Sequence, residues 1–389
     1  MKHCAIIGIS DRRRQWHAPD VLSVISSAVV FSGGKRHHEI VQSVLPSNHL
    51  WIDITVPLSQ VFAEYEKHDY IVIFASGDPL FYGFAATVLR ECPDCKIEVY
   101  PSFNSLQMLA HRMCLPYQDM QVVSLTGRPW AQLDEALISG KPLIGVLTDR
   151  HKTPQAIRER MLEYGYDNYL ITVGENLGNE HDECVEPLAE GKEYTVPNCL
   201  ILQKQTDRHR PFGIPESDFH LLNGRAKMIT KMPVRLLSLS LLDLHSKSSF
   251  WDVGFCTGSV SIEAKLQFPH LSVTSFEVRE EGRELMLANA RKFGAPGITA
   301  VIGDFLQQDL TQYPAPDAVF IGGHGGKLKE MVAKLHSLMK PGGCIVFNSV
   351  SDESKRLFEE SVMAVGMSVV HSTLIAIDSY NPIHVMKAQ

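Results

Sequence analysis

Residues 250–280 hold the stretch that most narrows what this chain can become. Phe250-Trp-Asp-Val253 has the pattern of a short buried strand. It runs into a turn bounded by Gly254 and Gly258, and a helix is predicted from about Ser259. A second strand, beginning about 20 residues further on, ends in Glu277, the spacing of a nucleotide-binding βαβ unit. Glycine lets a backbone pass close to a ligand with no Cβ in the way. A carboxylate closing the second strand is placed to hold both hydroxyls of a ribose.

What the turn lacks narrows the choice of nucleotide. A dinucleotide fingerprint needs G-x-G-x-x-G, and Gly254-Phe-Cys-Thr-Gly258-Ser259 has neither the second nor the third of those glycines. Asp252 stands two residues before Gly254, as in the Asp-x-Gly-x-Gly-x-Gly turn of S-adenosylmethionine (AdoMet) methyltransferases. That ligand has no pyrophosphate for a helix N-terminus to cradle. Cys256 stands where the methyltransferase turn usually has glycine. Another nucleotide, or an ordinary strand-to-helix turn with an unrelated acidic residue downstream, is the alternative.

The 389 residues are enough for two or three domains. At 44% hydrophobic and 21% charged the composition is that of a globular protein. A net charge of −7 argues against a general nucleic-acid binder, which would carry a basic face. No apolar run reaches the length of a membrane span, and Met1-Lys-His-Cys-Ala-Ile-Ile-Gly8 reads as a strand entering a glycine turn, not as a signal peptide. The eight cysteines are scattered, which fits a reduced, cytoplasmic protein. Cys92-Pro-Asp-Cys95 lacks the second pair or the histidines of a zinc site, so it is read as a loop and no metal is expected.

Before the central stretch, short apolar runs alternate with helices. Residues 3–9 read as a strand, 19–28 as a helix with proline in its first turn, and 29–32 as a second strand. Residues 70–75 are a buried strand entering Ser76-Gly77-Asp78-Pro79. A ligand can dock at such a strand end, although an ordinary β-turn uses the same residues. Residues 97–101, 121–125, 143–147, 168–173 and 200–202 are further strands, and Ser102-Phe-Asn-Ser105 caps a helix over 106–113. This alternation indicates an α/β region with largely parallel sheet. Residues 203–215 are polar with two prolines and mark a domain boundary. Beyond a leucine-rich helix at 233–244, seven strands are predicted at 250–253, 271–277, 299–302, 318–321, 344–347, 369–377 and 383–387. The last two form an antiparallel edge hairpin through residues 378–382.

The ordered motifs carry a resemblance. Ser32-Gly-Gly-Lys-Arg-His37, Ala75-Ser-Gly-Asp-Pro-Leu-Phe-Tyr-Gly83, Pro101-Ser-Phe-Asn-Ser-Leu106, Ser124-Leu-Thr-Gly-Arg128 and Thr172-Val-Gly-Glu-Asn-Leu-Gly178 resemble a tetrapyrrole (corrin/porphyrin) methylase domain. Gly213-Ile-Pro-Glu-Ser-Asp-Phe219, Ile229-Thr-Lys-Met-Pro-Val-Arg235, Ser259-Val-Ser-Ile-Glu263 and Lys340-Pro-Gly-Gly343 resemble its decarboxylating partner. Over nearly its whole length the chain resembles the fused precorrin-6Y C(5,15)-methyltransferase (decarboxylating) family of cobalamin biosynthesis. One loop departs from the family: its first turn is usually Gly-x-Gly-Pro-Gly, and here it is Gly8-Ile-Ser10-Asp-Arg-Arg-Arg14.

The resemblance implies an α/β protein in two parts. Residues 1–205 would be a two-lobed tetrapyrrole-methylase domain, and 206–389 a Rossmann-like, seven-stranded AdoMet methyltransferase and decarboxylase domain. It implies two methyl transfers from AdoMet, to carbons 5 and 15 of a precorrin, with loss of carbon dioxide from the ring C acetate. It also implies a homo-oligomer; from charge and hydropathy, neither nucleic acid nor membrane is expected as a partner. In the C-terminal half Thr230, Gly254, Phe255, Cys256, Thr257, Gly258, Glu277, Asp304 and Phe305 are expected at the AdoMet, and in the N-terminal half Gly77, Asp78, Ser105 and Leu106, with the loops at Leu147 and Glu175. Asp304 and Ser105 would alternatively be helix caps. Lys231, Arg235 and His324 are the candidates for orienting the acetate that is lost, and Arg12–Arg14 and Lys35–His38 for meeting substrate carboxylates. The competing function is an AdoMet methyltransferase for RNA or another small molecule, with an N-terminal half that only binds tetrapyrrole.

Overall fold

Strands form where the chain gathers β-branched and aromatic residues. The structure, a computed structural model, describes residues 2–12, 17–224, 228–377 and 381–389. Two compact units result: Met1–Arg128, Lys141–Arg158 and Tyr169–Gln205 form one, and Pro129–Gly140, Glu159–Asn168 and Thr206–Gln389 the other.

The first unit holds two sheets. Strands β1 (His3–Ile9), β2 (Val30–Gly33), β3 (Leu50–Asp53), β4 (Tyr70–Ser76) and β5 (Lys96–Tyr100) lie in the order β3-β2-β4-β1-β5, all parallel. Alternate residues of β1 and β4 serve opposite faces: Cys4, Ile6, Ile71 and Ile73 fill one core, and Ala5, Ile7, Val72 and Phe74 the other. A parallel sheet covered on both faces demands such unbroken apolar runs.

The second sheet, β6 (Gln121–Ser124), β7 (Leu143–Leu147), β8 (Tyr169–Glu175), β9 (Cys184–Pro187) and β10 (Asn198–Lys204), is ordered β6-β7-β10-β8-β9. Only β6 and β7 are parallel; β10 runs antiparallel between β7 and β8, and β9 antiparallel to β8. The expectation of largely parallel sheet therefore holds for the first sheet and is corrected for this one. Strand β10 reads as an apolar run, but a run carries no direction. Strands β3 and β9 were not anticipated. Both lie at sheet edges, half exposed, with one buried residue between them, Ile52; β9 has no apolar run, and the Leu50-Trp-Ile52 run of β3 is short and only partly buried.

The second unit is built on one seven-stranded sheet. Its strands are β11 (Ser249–Val253), β12 (Ser272–Glu277), β13 (Ile298–Ile302), β14 (Ala318–Ile321), β15 (Cys344–Ser349), β16 (Val369–Ile375) and β17 (Ile383–Ala388), in the order β13-β12-β11-β14-β15-β17-β16. The first five are parallel and β17 is antiparallel to both neighbours. The predicted edge hairpin is present, although Asp378, Ser379 and Tyr380 of its connection lie outside the described residues. The chain winds outward from β11 to β13, then returns to β14 on the other side of β11. That reversal opens a crevice at the carboxyl ends of β11 and β14, where open α/β sheets bind ligands. Below it Trp251, Phe276 and Phe305 pack edge to face.

Candidate active sites

In the second unit, β11 ends at Val253 and the turn from Gly254 to Gly258 leads into helix Ser259–Gln267. Gly254, Cys256 and Gly258 all have left-handed φ, at 81°, 51° and 78°. Gly254 lies against the turn that follows β14: a Cβ there would meet the Gly323 nitrogen at 2.6 Å. The glycine requirement is thus set by a neighbouring backbone. Cys256 keeps the left-handed conformation that glycine takes at no steric cost, and its N–H donates to Glu277 Oε2 at 2.9 Å.

Glu277 sits at the carboxyl end of β12, 3% exposed. Its Oε1 accepts from the N–H groups of Val278 (2.9 Å) and Arg279 (3.1 Å) and from Arg279 Nε (2.8 Å), while Arg279 Nη2 donates to Oε2 at 2.9 Å. Burial opposes ionisation, but these donors prevail and hold the carboxyl below the usual glutamate range. Asp252 is the opposite case. It is buried, and among the described residues only Ser261 donates to it, at 2.5 Å, and Oδ1 has no partner, so its pKa is pushed up to about 7.

A cavity of about 620 Å³ opens over these turns, within the range of nucleotide-sized ligand pockets. Of the residues anticipated from sequence, Gly254, Cys256, Glu277, Asp304, Phe305 and His324 line it. Asp304 does not cap a helix: its Oδ1 accepts from the Leu306 N–H at 3.0 Å and its Oδ2 from Lys327 Nζ at 2.8 Å. The His324 ring stands edge-on to Phe347, and its Nδ1 accepts from the Gly326 N–H at 3.2 Å, which leaves the proton of the neutral ring on Nε2. Burial holds its pKa below the ordinary histidine value.

Thr230, Phe255, Thr257 and Gly258 stand outside the cavity wall. Phe255 and Thr257 are buried behind the turn, where the Thr257 carbonyl accepts from Asn289 Nδ2 at 2.9 Å. Lys231 also lies outside the wall, at the start of helix Met232–Leu242. Arg235 must be corrected. It is fully buried, with Nε on Glu263 Oε2 at 2.6 Å, Nη1 on the Thr230 carbonyl at 2.8 Å and Nη2 on the Ile214 carbonyl. A guanidinium occupied in this way ties the helix to its surroundings and lies away from the cavity wall. Arg279, Lys327 and Met228 line the cavity and were not anticipated. Arg279 stands two residues beyond Glu277, just past the end of β12.

In the first unit a smaller cavity, about 190 Å³, lies at the carboxyl ends of β1 and β4. Gly77, with φ 60°, Ser105 and Leu147 line it, together with Arg36, His37 and Ser76. His37 Nε2 lies 2.8 Å from Ser76 Oγ, which also accepts from Arg36 Nη2 at 3.2 Å. Burial, then the Arg36 charge, pushes the His37 pKa down to about 4. Helix Ser105–Arg112 is capped by Asn104, reciprocally with Gln107, so the Ser105 hydroxyl is not the cap.

Asp78 faces a second cavity in this unit, of about 730 Å³, whose wall includes Arg12, His111 and Arg112. Its Oδ1 accepts from the Leu80 N–H at 2.9 Å, closing the turn. Leu106 is buried in the core and Glu175 is buried against Thr195 and Lys192, both outside the two walls. Arg13 and Arg14 lie outside the described residues.

Two family models match the chain. The one described as Tetrapyrrole (Corrin/Porphyrin) Methylases matches residues 4–191, and the one described as Precorrin methyltransferase domain matches residues 223–388. The precorrin-6Y C(5,15)-methyltransferase (decarboxylating) of Sinorhizobium sp is 29% identical over 372 residues, 94% of this chain and 89% of that protein. The cobalt-precorrin-6B C(15)-methyltransferase (decarboxylating) of Salmonella typhi is 34% identical over 162 residues, 42% of this chain and 83% of that protein. The cobalt-precorrin-7 C(5)-methyltransferase of Salmonella typhimurium is 27% identical over 203 residues, 51% of this chain and 98% of that protein.

Proposed function

The chain belongs to the precorrin-6Y C(5,15)-methyltransferase (decarboxylating) family, and on that premise we propose that it methylates carbons 5 and 15 of a precorrin and removes carbon dioxide from the ring C acetate. The reaction belongs to the building of the corrin ring of cobalamin. One observation carries this reading: two different family models divide the chain between them, while single-activity relatives, each about the size of one half, are named for the C(15) and the C(5) methylation separately. We assign the C(15) methylation and the decarboxylation to the C-terminal half and the C(5) methylation to the N-terminal half, with the domain boundary at 205/206.

S-adenosyl-L-methionine supplies an electrophilic methyl on a sulfonium. The electron-rich macrocycle is the nucleophile, so the chain has to align the reactants and to handle protons and carboxylates. In the C-terminal half the close approach of Gly254 to Gly323 fits a cradle for the donor, and Glu277 holds its ribose. Cys256, Asp304 and Phe305 complete that wall, with Phe255, Thr257 and Gly258 holding the turn from behind and Thr230 and Lys231 flanking it. When the acetate loses carbon dioxide, its C–C bond breaks and the electron pair enters the macrocycle. The carbon left behind then takes up a proton. His324 carries a proton on Nε2 at the cavity wall and is the donor we assign to that step. In the N-terminal half Gly77 and Ser105 hold the methyl donor, and Asp78 and Arg12 stand in the larger cavity, where Arg12 meets a carboxylate of the substrate; Arg112, on the same wall, is paired with Glu183.

We infer that the enzyme works in the cytoplasm on a small molecule and binds no nucleic acid, which the eight free cysteines and the net charge of −7 support; that it is a homo-oligomer rests on the resemblance to its family. Among the described residues no helix is long and apolar enough to cross a membrane. Product analysis of variants tests the division of labour. Gly77→Val, which forces a β-branched residue into a left-handed φ, is expected to yield a product with one added methyl and the carboxyl already lost. Glu277→Gln is expected to stop decarboxylation. A Gly77→Val enzyme that still adds both methyls would overturn the assignment of one methylation to each half.

A further inference from the structure

Glu277 is filled to capacity. A carboxylate offers about four lone-pair positions, and five donors converge on it. Three are main-chain N–H groups fixed by the turn and the strand end. The other two come from one side chain: Arg279 places Nε on Oε1 and Nη2 on Oε2, in the two-pronged geometry characteristic of guanidinium and carboxylate. A ribose diol held by this residue would make the same pattern, one hydroxyl to each oxygen. Arg279 and the ribose therefore compete for one pair of positions. The two partners differ in burial: the Glu277 side chain is 2% exposed and that of Arg279 35%, and the third guanidinium nitrogen lies 3.9 Å from Met228 Sδ. The arginine can swing outward; the glutamate cannot.

We propose that Arg279 is a placeholder for the ribose hydroxyls, and that AdoMet, by displacing it from Glu277, frees its guanidinium within the cavity to bind a carboxylate of the tetrapyrrole. The site would then load in order: the cation that grips the polycarboxylate substrate becomes available once the methyl donor is in place. The inference rests on the reading of Glu277 as the ribose-holding residue. It goes further in giving a role to Arg279, whose neighbours on the wall (Lys327 paired with Asp304, and the neutral His324) leave it as the cation that ligand binding would release.

Calorimetric titration of AdoMet into the full-length chain separates the two claims. Glu277→Gln is expected to weaken one of the binding events, which identifies the C-terminal site. Arg279→Met, which keeps the aliphatic stem, is expected to tighten that same event about two- to fivefold, the scale of a partly exposed ion pair, and to raise the KM for the tetrapyrrole. Arg279→Lys keeps the charge but cannot fork, so it should restore most of the KM while AdoMet still binds more tightly than to wild type. Thermal unfolding of each variant establishes that it is folded. If Glu277→Gln leaves every binding event unchanged, the ribose reading of Glu277 fails. If Glu277→Gln weakens an event that Arg279→Met leaves unchanged or weakens further, the placeholder is overturned. A tighter AdoMet with an unmoved KM overturns the carboxylate role.

Discussion

Cys256 at φ 51° shows what one position in this turn demands. A non-glycine residue in the left-handed region carries a strain of roughly 1–2 kcal/mol, and here that conformation aims the Cys256 N–H at Glu277. Cys256→Gly relieves the strain but loses a buried side chain, so the expected change in stability is within about 1 kcal/mol, with AdoMet binding retained. Cys256→Val, β-branched at the same φ, should destabilise by about 1–3 kcal/mol and weaken AdoMet binding. Urea unfolding and calorimetry check both. Asp252 makes the opposite demand. Its pKa is raised from 3.8 to about 7 by burial, so the folded state binds a proton that the unfolded chain has released. That contribution is fully present below about pH 4 and is lost as pH rises through about 7. Asp252→Asn, permanently neutral, should flatten this part of the pH–stability curve and gain a few kcal/mol over wild type at pH 8. A curve with unchanged slope between pH 4 and 7 would contradict the assignment.

Between elements, the pair Arg235–Glu263 joins helix Met232–Leu242 to helix Ser259–Gln267, with neither side chain exposed. Removing one member leaves an unpaired buried charge, a loss of about 3–5 kcal/mol. Arg235→Met is therefore expected to lower the unfolding midpoint sharply while kcat stays near wild type wherever the protein is folded. A fall in kcat without loss of stability would return Arg235 to the substrate. In sequence Arg235 sits in a family motif and looks available, because nothing in that motif reveals that its partner lies 28 residues away. A cap is more local: Asn104→Ala should cost about 1 kcal/mol, measured by thermal unfolding, because it strips helix Ser105–Arg112 of its reciprocal pair with Gln107. The same contrast separates the strands. β11 and β12 were legible because they are buried runs with a glycine turn between them. The short half-exposed edges β3 and β9 were not, since their pairing is decided by neighbours distant in sequence.

At the scale of the whole molecule, the order of motifs exposed both halves of the chain. The strand count of the seven-stranded sheet followed from its apolar runs, and its antiparallel edge from the short connection over 378–382 and the likeness to the methyltransferase sheet. The direction of β10 did not, because periodicity reports burial and not polarity. The cavity wall in the C-terminal unit was legible where backbone conformation dictated the residue, as at Gly254, and where chemistry did, as at Glu277. Arg279 and Lys327 escaped because a solvated surface and a ligand cavity favour the same cations. The central claim is that one chain performs two methylations and one decarboxylation at two sites. Mass spectrometry of the product formed from a precorrin-6B precursor and AdoMet tests it most directly. The account predicts a gain of two methyl groups and the loss of one carbon dioxide; a gain of one methyl with that loss would contradict it and leave the N-terminal half, with its altered Ser10–Arg14 loop, without its assigned chemistry.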